Sequence, residues 1–323
     1  MAARWHPSGC SRGAGMTILY KASIERAGQW AAAFARQAPG ISFRIWPDIG
    51  DPAAVEYLLL WQPPERIAET FPNLKMVFSV GAGVDQLDFS KLPPGLPVVR
   101  MLEPGIAESM AEFVCMATLM LHRDMVAYLD QQRRRLWREI QVQPGERRRI
   151  GILGLGQLSQ ASLAKLRPFG FSLSGWNRTP RQIEGVACFT GADELPAFLA
   201  QADILICLLP LTEATRGILN ARLFAALPPS AAIINVGRGG HLVEADLLAA
   251  LETGQLSGAM IDVLDPEPPS AEHPFWGHPR IVMTPHIASM TRPEGGAAFV
   301  LETIERHRRG LPIEGLVPRG QEY

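Results

Sequence analysis

Disulfide and zinc frameworks are not indicated by this sequence. Its 323 residues include only four cysteines: Cys10, Cys115, Cys188 and Cys207. None of them forms a CxxC pair, so neither a disulfide-stapled domain nor a zinc site is expected. His273 and His278 lie in one loop sequence without a cysteine or carboxylate at ligand spacing, and we therefore predict no metal site.

Membrane-spanning and secretory features are also lacking. No apolar run reaches the about 18 to 20 residues that a membrane span needs, and the best run, Met110–Leu121, contains a glutamate. The first fifteen residues have no apolar core of a secretory signal. We therefore expect residues 1–15 to be a loose extension and the protein to be cytoplasmic.

The sequence has no excess of either charge. Lys and Arg number 31 and Asp and Glu number 32, which gives a net charge of −1. The usual electrostatic reason to expect nucleic acid or an acidic membrane surface as a partner is therefore missing. What is present is a globular composition, 47% hydrophobic and 20% charged, in a chain long enough for roughly two domains.

Short apolar runs alternate with helical patterns in the first third of the chain. Strands are predicted at residues 16–20, Ile41–Trp46, Val55–Trp61, Leu74–Val80 and Val98–Met101. A helix is predicted from Ser23, as N-cap, to Gln37. Strands separated by helices indicate βαβ units and a parallel sheet.

A long helical pattern follows, which we interpret as one uninterrupted helix from Ile106 to Trp137. Its first half is apolar on nearly every face. Such a helix must be buried by more than one neighbour, and a subunit interface is one way to supply the second.

The clearest alternation of strands and helices begins at residue 150. Strands are predicted at Ile150–Leu153, Phe171–Trp176, Ile204–Leu209, Ala231–Val236, Ala259–Val263 and Ile281–Thr284. Helices are predicted near Gln157–Arg167, Ala192–Ala200, Asn220–Ala226 and Glu244–Glu252. This pattern is typical of a doubly wound unit of six strands.

A last amphipathic helix, Glu294–Arg309, could fold back on the first half of the chain. We therefore predict an α/β protein with two Rossmann-like, doubly wound parallel-sheet domains. A cofactor domain at 102–289 would be inserted into a discontinuous, flavodoxin-like substrate domain made of 1–101 and 290–323.

A glycine-rich turn lies between the first strand and the first helix of the predicted cofactor domain. Its residues are Gly154, Leu155, Gly156, Gln157, Leu158 and Ser159. Backbone amides and a helix N-terminus in this context can face a pyrophosphate that a side chain would block. Alone the motif is weak, and a structural tight turn is the alternative, but the surrounding strands favour a dinucleotide site. Ser159 replaces the last motif glycine and is small enough for close packing.

The end of the next strand bears on the choice of cofactor. It reads Asn177, Arg178, Thr179 and has no acidic residue for the ribose 2′-hydroxyl of NAD. Arg178 could pair with a 2′-phosphate, or it could be an ordinary surface arginine. We predict a preference for NADP(H), with NAD(H) possible.

Three polar residues follow successive later strands: Arg238, Glu267 and His286. A guanidinium can hold a carboxylate, an imidazolium can protonate a carbonyl oxygen, and a carboxylate can orient the imidazole. With a nicotinamide, this set would reduce a 2-oxo acid. Each alone could be a loop charge or a core histidine, whereas three on one sheet edge are a catalytic candidate. The predicted cofactor contacts at the strand ends are completed by Leu209, Pro210, Val236, Gly237, Arg238, Asp262 and His286.

Six stretches of the sequence match one known family: residues 79–85, 151–156, 176–179, 235–239, 265–268 and 284–288. In these stretches, and over the chain from Met16 onward, the sequence resembles the D-isomer-specific 2-hydroxyacid dehydrogenases. Within the family, the resemblance is greatest to bacterial reductases of glyoxylate and hydroxypyruvate.

The resemblance implies a role for each catalytic candidate. Arg238 would bind the substrate carboxylate, His286 would donate the proton, and Glu267 would orient His286. The resemblance also implies substrate contacts at Trp46, Ala82, Gly83 and Val84. Trp137 matches another aromatic position near the pocket, although core packing is an equal interpretation for Trp46 and Trp137.

The resemblance further implies a homodimer built around the 106–137 region, with a small 2-oxo or 2-hydroxy acid as substrate. Two alternatives remain open. One is an NAD-dependent relative that acts on formate, phosphite or a bulkier hydroxy acid. The other is a dinucleotide-sensing protein without turnover, such as a corepressor.

Overall fold

A computed structural model of the chain describes residues 16–318, so the predicted extension at 1–15 lies outside the described residues. The chain forms two compact units. The first comprises the described residues up to Ile106 and those from Met290 onward, and the second is Ala107–Ser289. Each unit contains one parallel β-sheet.

The strands, in chain order, are β1 (Thr17–Lys21), β2 (Ser42–Ile45), β3 (Val55–Leu60), β4 (Met76–Ser79), β5 (Val98–Val99), β6 (Arg149–Leu153), β7 (Ser172–Asn177), β8 (Ala187–Thr190), β9 (Ile204–Cys207), β10 (Ala231–Asn235), β11 (Leu256–Ile261) and β12 (Ile281–Met283). The α-helices are α1 (Ile24–Gln37), α2 (Ile67–Thr70), α3 (Pro104–His122), α4 (Met125–Arg133), α5 (Gln157–Leu166), α6 (Gly191–Leu199), α7 (Ala221–Ala226), α8 (Glu244–Glu252) and α9 (Pro293–Arg308).

The first unit is built on a five-stranded sheet in the order β2-β1-β3-β4-β5, which is the flavodoxin-like order. All five predicted strands are present. Its central strands are buried on both faces because helices cover a parallel sheet on both sides. Helix α9 packs against α1, with Gly296 so close to the Trp30 ring that a Cβ there would lie 2.3 Å from it. The C-terminal helix therefore belongs to this unit.

Helix α1 begins after Ser23, as predicted, but the Ser23 side chain does not cap it. The hydroxyl instead donates to the carboxylate of Glu25 at 2.7 Å.

The second unit contains a sheet in the order β12-β11-β10-β9-β6-β7-β8. If β6 is counted as strand 1 and β12 as strand 7, the sheet read from its β8 end has the order 3-2-1-4-5-6-7. This is the Rossmann order 3-2-1-4-5-6 with a seventh strand beyond the sixth. The prediction of six strands was therefore wrong by one. The strand that was missed, β8, is a short edge strand with no buried residue.

The prediction of one uninterrupted helix over 106–137 was also wrong. Helix α3 ends at His122, and α4 extends only from Met125 to Arg133. The break falls at Asp124, whose left-handed backbone (φ 52°) cannot continue a right-handed helix.

Helix α3 is the apolar segment that the sequence placed below membrane-spanning length. In the structure its 19 residues do have the length and composition of a span, and half of that stretch is buried inside the protein. Met110, Val114 and Leu121 pack in one hydrophobic core with Ile150 and Ile152 of β6. This packing is that of a core helix.

Candidate active site

The predicted cofactor and catalytic residues of the second unit follow the carboxyl ends of six strands. The strands are parallel, so these ends lie on one edge of the sheet. They carry residues 154–158 after β6, 177–179 at the end of β7, 209–210 after β9, 236–238 after β10, Asp262 after β11 and His286 after β12. Ligands of open α/β sheets bind along this edge.

The glycine turn after β6 has the geometry of a phosphate cradle. Gly154 has φ +90°, and a Cβ there would lie 3.0 Å from the carbonyl oxygen of Leu208. Gly156 is the N-cap of α5, has φ −75°, and nothing of the protein lies within 4 Å of where its Cβ would be. The space before the helix amides is thus open, and the turn fits a dinucleotide pyrophosphate. Ser159 is almost fully buried, as its packing role requires.

The end of β7 is tied to the glycine turn. Asn177 Oδ1 accepts from the Leu155 amide at 3.3 Å, and its Nδ2 donates to the Thr179 carbonyl and hydroxyl oxygens at 2.9 and 3.1 Å. Arg178 is exposed. These contacts engage both polar groups of the Asn177 side chain, whereas the exposed Arg178 guanidinium is a candidate partner for a phosphate.

The turn after β10 holds Arg238 by both of its backbone groups. Its carbonyl oxygen accepts from Asn235 Nδ2 at 3.0 Å, and its amide donates to His241 Nδ1 at 3.0 Å. The guanidinium is half-buried and donates through Nη1 to the Gly237 carbonyl at 2.8 Å. Gly239 follows, and a Cβ there would lie 2.0 Å from the backbone carbon of Leu264. The Arg238 turn therefore packs directly on the loop that leads to Glu267.

His286 and Glu267 form a hydrogen-bonded pair. His286 Nδ1 lies 2.8 Å from Glu267 Oε2, and both side chains are about one-third exposed (28% and 35%). The Leu264 amide donates to the other carboxylate oxygen at 2.9 Å. Because a carboxylate only accepts, the proton of this contact is on Nδ1.

The charge on Glu267 is favoured by this arrangement. Burial alone would raise the pKa of Glu267. The hydrogen bonds from His286 and Leu264 and the positive charge of Arg238 outweigh burial and hold that pKa below its ordinary value.

Asp262 lies beneath the turn that carries His286 and is only 2% exposed. Its Oδ1 accepts from the Thr284 hydroxyl at 2.6 Å and the Ile287 amide at 2.9 Å. Its Oδ2 accepts from the Ala288 amide at 2.9 Å. Burial raises the pKa of Asp262, although these hydrogen bonds oppose the shift. The carboxylate stabilises a turn in which His286 adopts a left-handed backbone, φ 54°.

Two expected substrate segments lie in the first unit, at the carboxyl edge of its own sheet. Residues 82–84 follow β4, in a turn held by Ser79, whose hydroxyl donates to the Gly83 carbonyl at 2.8 Å and accepts from the Gly81 amide at 3.2 Å. Trp46 follows β2, and the Lys21 ammonium lies 5.7 Å from the centroid of its ring.

Trp137 is the exception among the aromatic candidates. It lies beyond α4, in the second unit, and its side chain is fully exposed (104%). Core packing, the alternative interpretation of this residue, is therefore wrong for Trp137.

His241, which is fully buried and contacts Arg238, was not among the predicted site residues. Asp262 was predicted as a cofactor contact, but its bonds to the His286 turn were not expected. A histidine three residues after a strand-end arginine was the available signal, but only the three-dimensional turn shows that the ring reaches back to the arginine amide.

Comparisons with known proteins identify the family. The family model of the D-isomer-specific 2-hydroxyacid dehydrogenase NAD-binding domain matches residues 115–288. The chain therefore belongs to the D-isomer-specific 2-hydroxyacid dehydrogenases, as its resemblance indicated, and it is an oxidoreductase that acts on CH–OH groups.

Individual relatives cover nearly the whole chain. A glyoxylate/hydroxypyruvate reductase A of Yersinia enterocolitica is 41% identical over 308 residues, 94% of this chain and 98% of the relative. A Xanthobacter autotrophicus family member, solved with NADPH and MES, is 38% identical with a TM-score of 0.86, covering 95% of this chain and 98% of that one. An NADPH-dependent glyoxylate/hydroxypyruvate reductase of Sinorhizobium meliloti, solved with NADP and sulfate, is 36% identical with a TM-score of 0.86, covering 94% and 98%.

Proposed function

We propose that this protein is an NADPH-dependent reductase of short 2-oxo acids such as glyoxylate and hydroxypyruvate. The observation that carries the proposal is the His286–Glu267 pair, 2.8 Å apart, on the same sheet edge as Arg238. Reduction of a 2-oxo acid needs a proton donor for the carbonyl oxygen, which His286 would be while Glu267 orients it. It also needs a cation for the substrate carboxylate, which Arg238 would supply.

When bound, the nicotinamide would supply the hydride to the carbonyl carbon. Arg238 pairs with the substrate carboxylate and orients the carbonyl. As the carbonyl π pair moves onto oxygen, His286 Nε2 gives its proton to that oxygen, and the product is the 2-hydroxy acid. Glu267 accepts from Nδ1 throughout, stabilises the imidazolium before the transfer, and keeps Nε2 as the nitrogen that exchanges its proton. Water then returns a proton to His286.

We propose that Gly154, Leu155, Gly156, Gln157 and Leu158 hold the cofactor pyrophosphate and that Arg178 pairs with a 2′-phosphate. Support comes from the open helix N-terminus at Gly156 and from the exposed Arg178 on a strand end without a carboxylate. NADPH and NADP are also the dinucleotides in the two solved relatives described above. The remaining proposed cofactor contacts are Asn177, Thr179, Leu209, Pro210, Val236, Gly237, Arg238, Asp262 and His286.

We further propose that the backbone of residues 82–84 and the ring of Trp46 contribute to substrate binding. Adjacent amides in a glycine turn after a strand can accept an anion, and the Ser79 hydroxyl holds this turn in place. The domain at 102–289 would be the cofactor domain, and residues 1–101 with 290–323 the substrate domain.

We propose a cytoplasmic homodimer formed through the 106–137 region. Large apolar side chains there are exposed: Met116, Met125, Leu136 and Trp137. The opposite face of α3 is buried in the core, so a second copy of the chain is the neighbour that would cover the exposed side. Free thiols at Cys115, Cys188 and Cys207 fit a reducing compartment.

The test is NADPH and NADH oxidation measured over a panel of 2-oxo acids, with glyoxylate and hydroxypyruvate expected to be reduced and NADPH preferred. The variant His286→Ala should still bind NADPH, because His286 is only one of many proposed cofactor contacts, and it should lose about 10²-fold or more in turnover. Near-normal turnover in that variant would remove His286 as the proton donor. Tight NADPH binding by the natural sequence with no turnover of any oxo acid would instead support a dinucleotide sensor.

A further inference from the structure

His241 is a buried histidine that the proposed mechanism does not use. It ends the short turn that follows Arg238, and it is 0% exposed. Its ring joins two strand ends: Nδ1 accepts from the Arg238 amide at 3.0 Å, and Nε2 lies 3.2 Å from the carbonyl oxygen of Pro210. The loops after β9 and β10 are therefore connected through one imidazole.

These two contacts determine the protonation state of the ring. A backbone amide only donates and a carbonyl oxygen only accepts. His241 must therefore be neutral, with its proton on Nε2 and a lone pair on Nδ1. No residue with a single polar atom at the end of its side chain could satisfy both backbone groups.

The backbone around the ring is shaped to admit it. A Cβ on Gly237 would lie 2.9 Å from His241 Nδ1, so the glycine before Arg238 leaves room for the ring. The His241 amide donates back to the Arg238 carbonyl at 3.2 Å, and the Leu219 amide donates to the His241 carbonyl at 2.9 Å. The histidine is thus fixed by its own backbone while its ring holds the Arg238 amide.

We propose that His241 is a positioning residue for the reductase reaction: it fixes Arg238, the carboxylate anchor, relative to the Pro210 loop on the cofactor side of the site. This inference rests on the proposed function. Without the Nδ1 atom, the half-buried Arg238 amide loses the acceptor that His241 supplies, and the turn must rearrange to offer it another. The guanidinium moves with the turn, because it is braced on the adjacent Gly237 carbonyl.

The two nitrogens of His241 can be removed separately. In His241→Asn, the amide oxygen stands at the position of Nδ1 and can still accept from Arg238, while the contact to Pro210 is lost. The Pro210 carbonyl keeps a second donor in that variant, the Thr215 hydroxyl. In His241→Gln, the amide nitrogen can still donate to Pro210, but no polar atom remains at the position of Nδ1.

The experiment compares the two variants by KM for glyoxylate, kcat, NADPH affinity by fluorescence titration and midpoint of thermal unfolding. We expect His241→Gln to raise KM by about tenfold or more. NADPH binding should weaken by a smaller factor, because the Pro210 contact is kept while the turn that also carries the proposed cofactor contacts Gly237 and Arg238 rearranges. His241→Asn should restore KM to within about threefold of the natural sequence. The variant His122→Asn serves as a control, because His122 is also buried, at 7% exposure, and contacts Arg148 and Phe171 instead.

The outcomes separate this inference from the proposed function. If the natural sequence reduces no 2-oxo acid, the proposed function fails. If it does reduce one and His241→Gln keeps a normal KM, the positioning role of His241 is overturned. The role is also overturned if both His241 variants raise KM equally. It is likewise overturned if His122→Asn raises KM as much as His241→Gln does at a similar loss of thermal unfolding midpoint.

Discussion

Replacing Asp262 by asparagine tests whether the buried carboxylate supports the turn that carries His286. Each carboxylate oxygen accepts from at least one backbone amide, Oδ1 from Ile287 and Oδ2 from Ala288. An amide group has only one oxygen. Whichever way the new side chain is oriented, its NH2 group therefore faces one backbone N–H, and that donor is left unsatisfied.

The size of the effect follows from this count. An unsatisfied buried donor costs about 1 to 3 kcal/mol, and Asp262 is 2% exposed, so water cannot easily replace the lost acceptor. We expect Asp262→Asn to lower the free energy of unfolding by about that amount. Since the strained backbone of His286 depends on the same turn, we also expect turnover to fall by about tenfold or more.

Chemical denaturation and NADPH oxidation with glyoxylate measure the two effects. The matched control is Thr284→Val, which removes the hydroxyl donor to Oδ1 and leaves both amides with a carboxylate acceptor. It should lose about 1 kcal/mol and less activity than Asp262→Asn. An Asp262→Asn protein with the stability and turnover of the natural sequence would refute this account of the turn.

Three further predictions concern single residues of the same edge. Because the pKa of Glu267 is held below its ordinary value of 4.5, its charge stabilises the fold above that pH and the effect is lost as pH falls below it. Glu267→Gln should therefore flatten the acid side of the stability profile, and an unchanged slope in acid unfolding would contradict this. Gly156→Ala should fold normally and bind NADPH about tenfold more weakly. Gly154→Ala, at φ +90°, should instead lose stability. If Gly156→Ala bound NADPH with normal affinity, the pyrophosphate could not lie at that turn. Arg178→Ala should weaken NADPH binding far more than NADH binding, and equal losses would refute pairing with a 2′-phosphate.

Apolar runs explain how much of the fold could be predicted. Strands such as β9 and β10 are buried along their whole length. Their apolar sequences, with only Asn235 at the end of β10 polar, place them within two residues. The edge strand β8 has only three apolar residues, Ala187, Cys188 and Phe189, and none of them is buried. The break between α3 and α4 depends on the left-handed backbone of Asp124, and its sequence, between two helical patterns, carries no glycine or proline to mark it.

The candidate site divides in a similar way. Arg238, Glu267 and His286 could be selected from sequence because each follows a strand that apolar periodicity had located. The roles of Asp262 and His241 in supporting these residues could not be predicted from sequence, because they depend on long-range contacts. Asp262 accepts from amides 25 and 26 residues away, and His241 contacts Pro210 across 31 residues. Periodicity locates elements, but it contains no information on which loops meet at the edge of a sheet.

The contact at Gly239 has a consequence for protein engineering. With a Cβ position only 2.0 Å from the Leu264 backbone carbon, residue 239 has no room for any side chain, and relief would require moving main chain. The segments 236–241 and 264–267 are therefore a single design unit. A combinatorial library that varies residue 239 while keeping the 264–267 segment constant should mostly yield proteins with a displaced main chain. Exchanging both segments together from one donor sequence would preserve their fit.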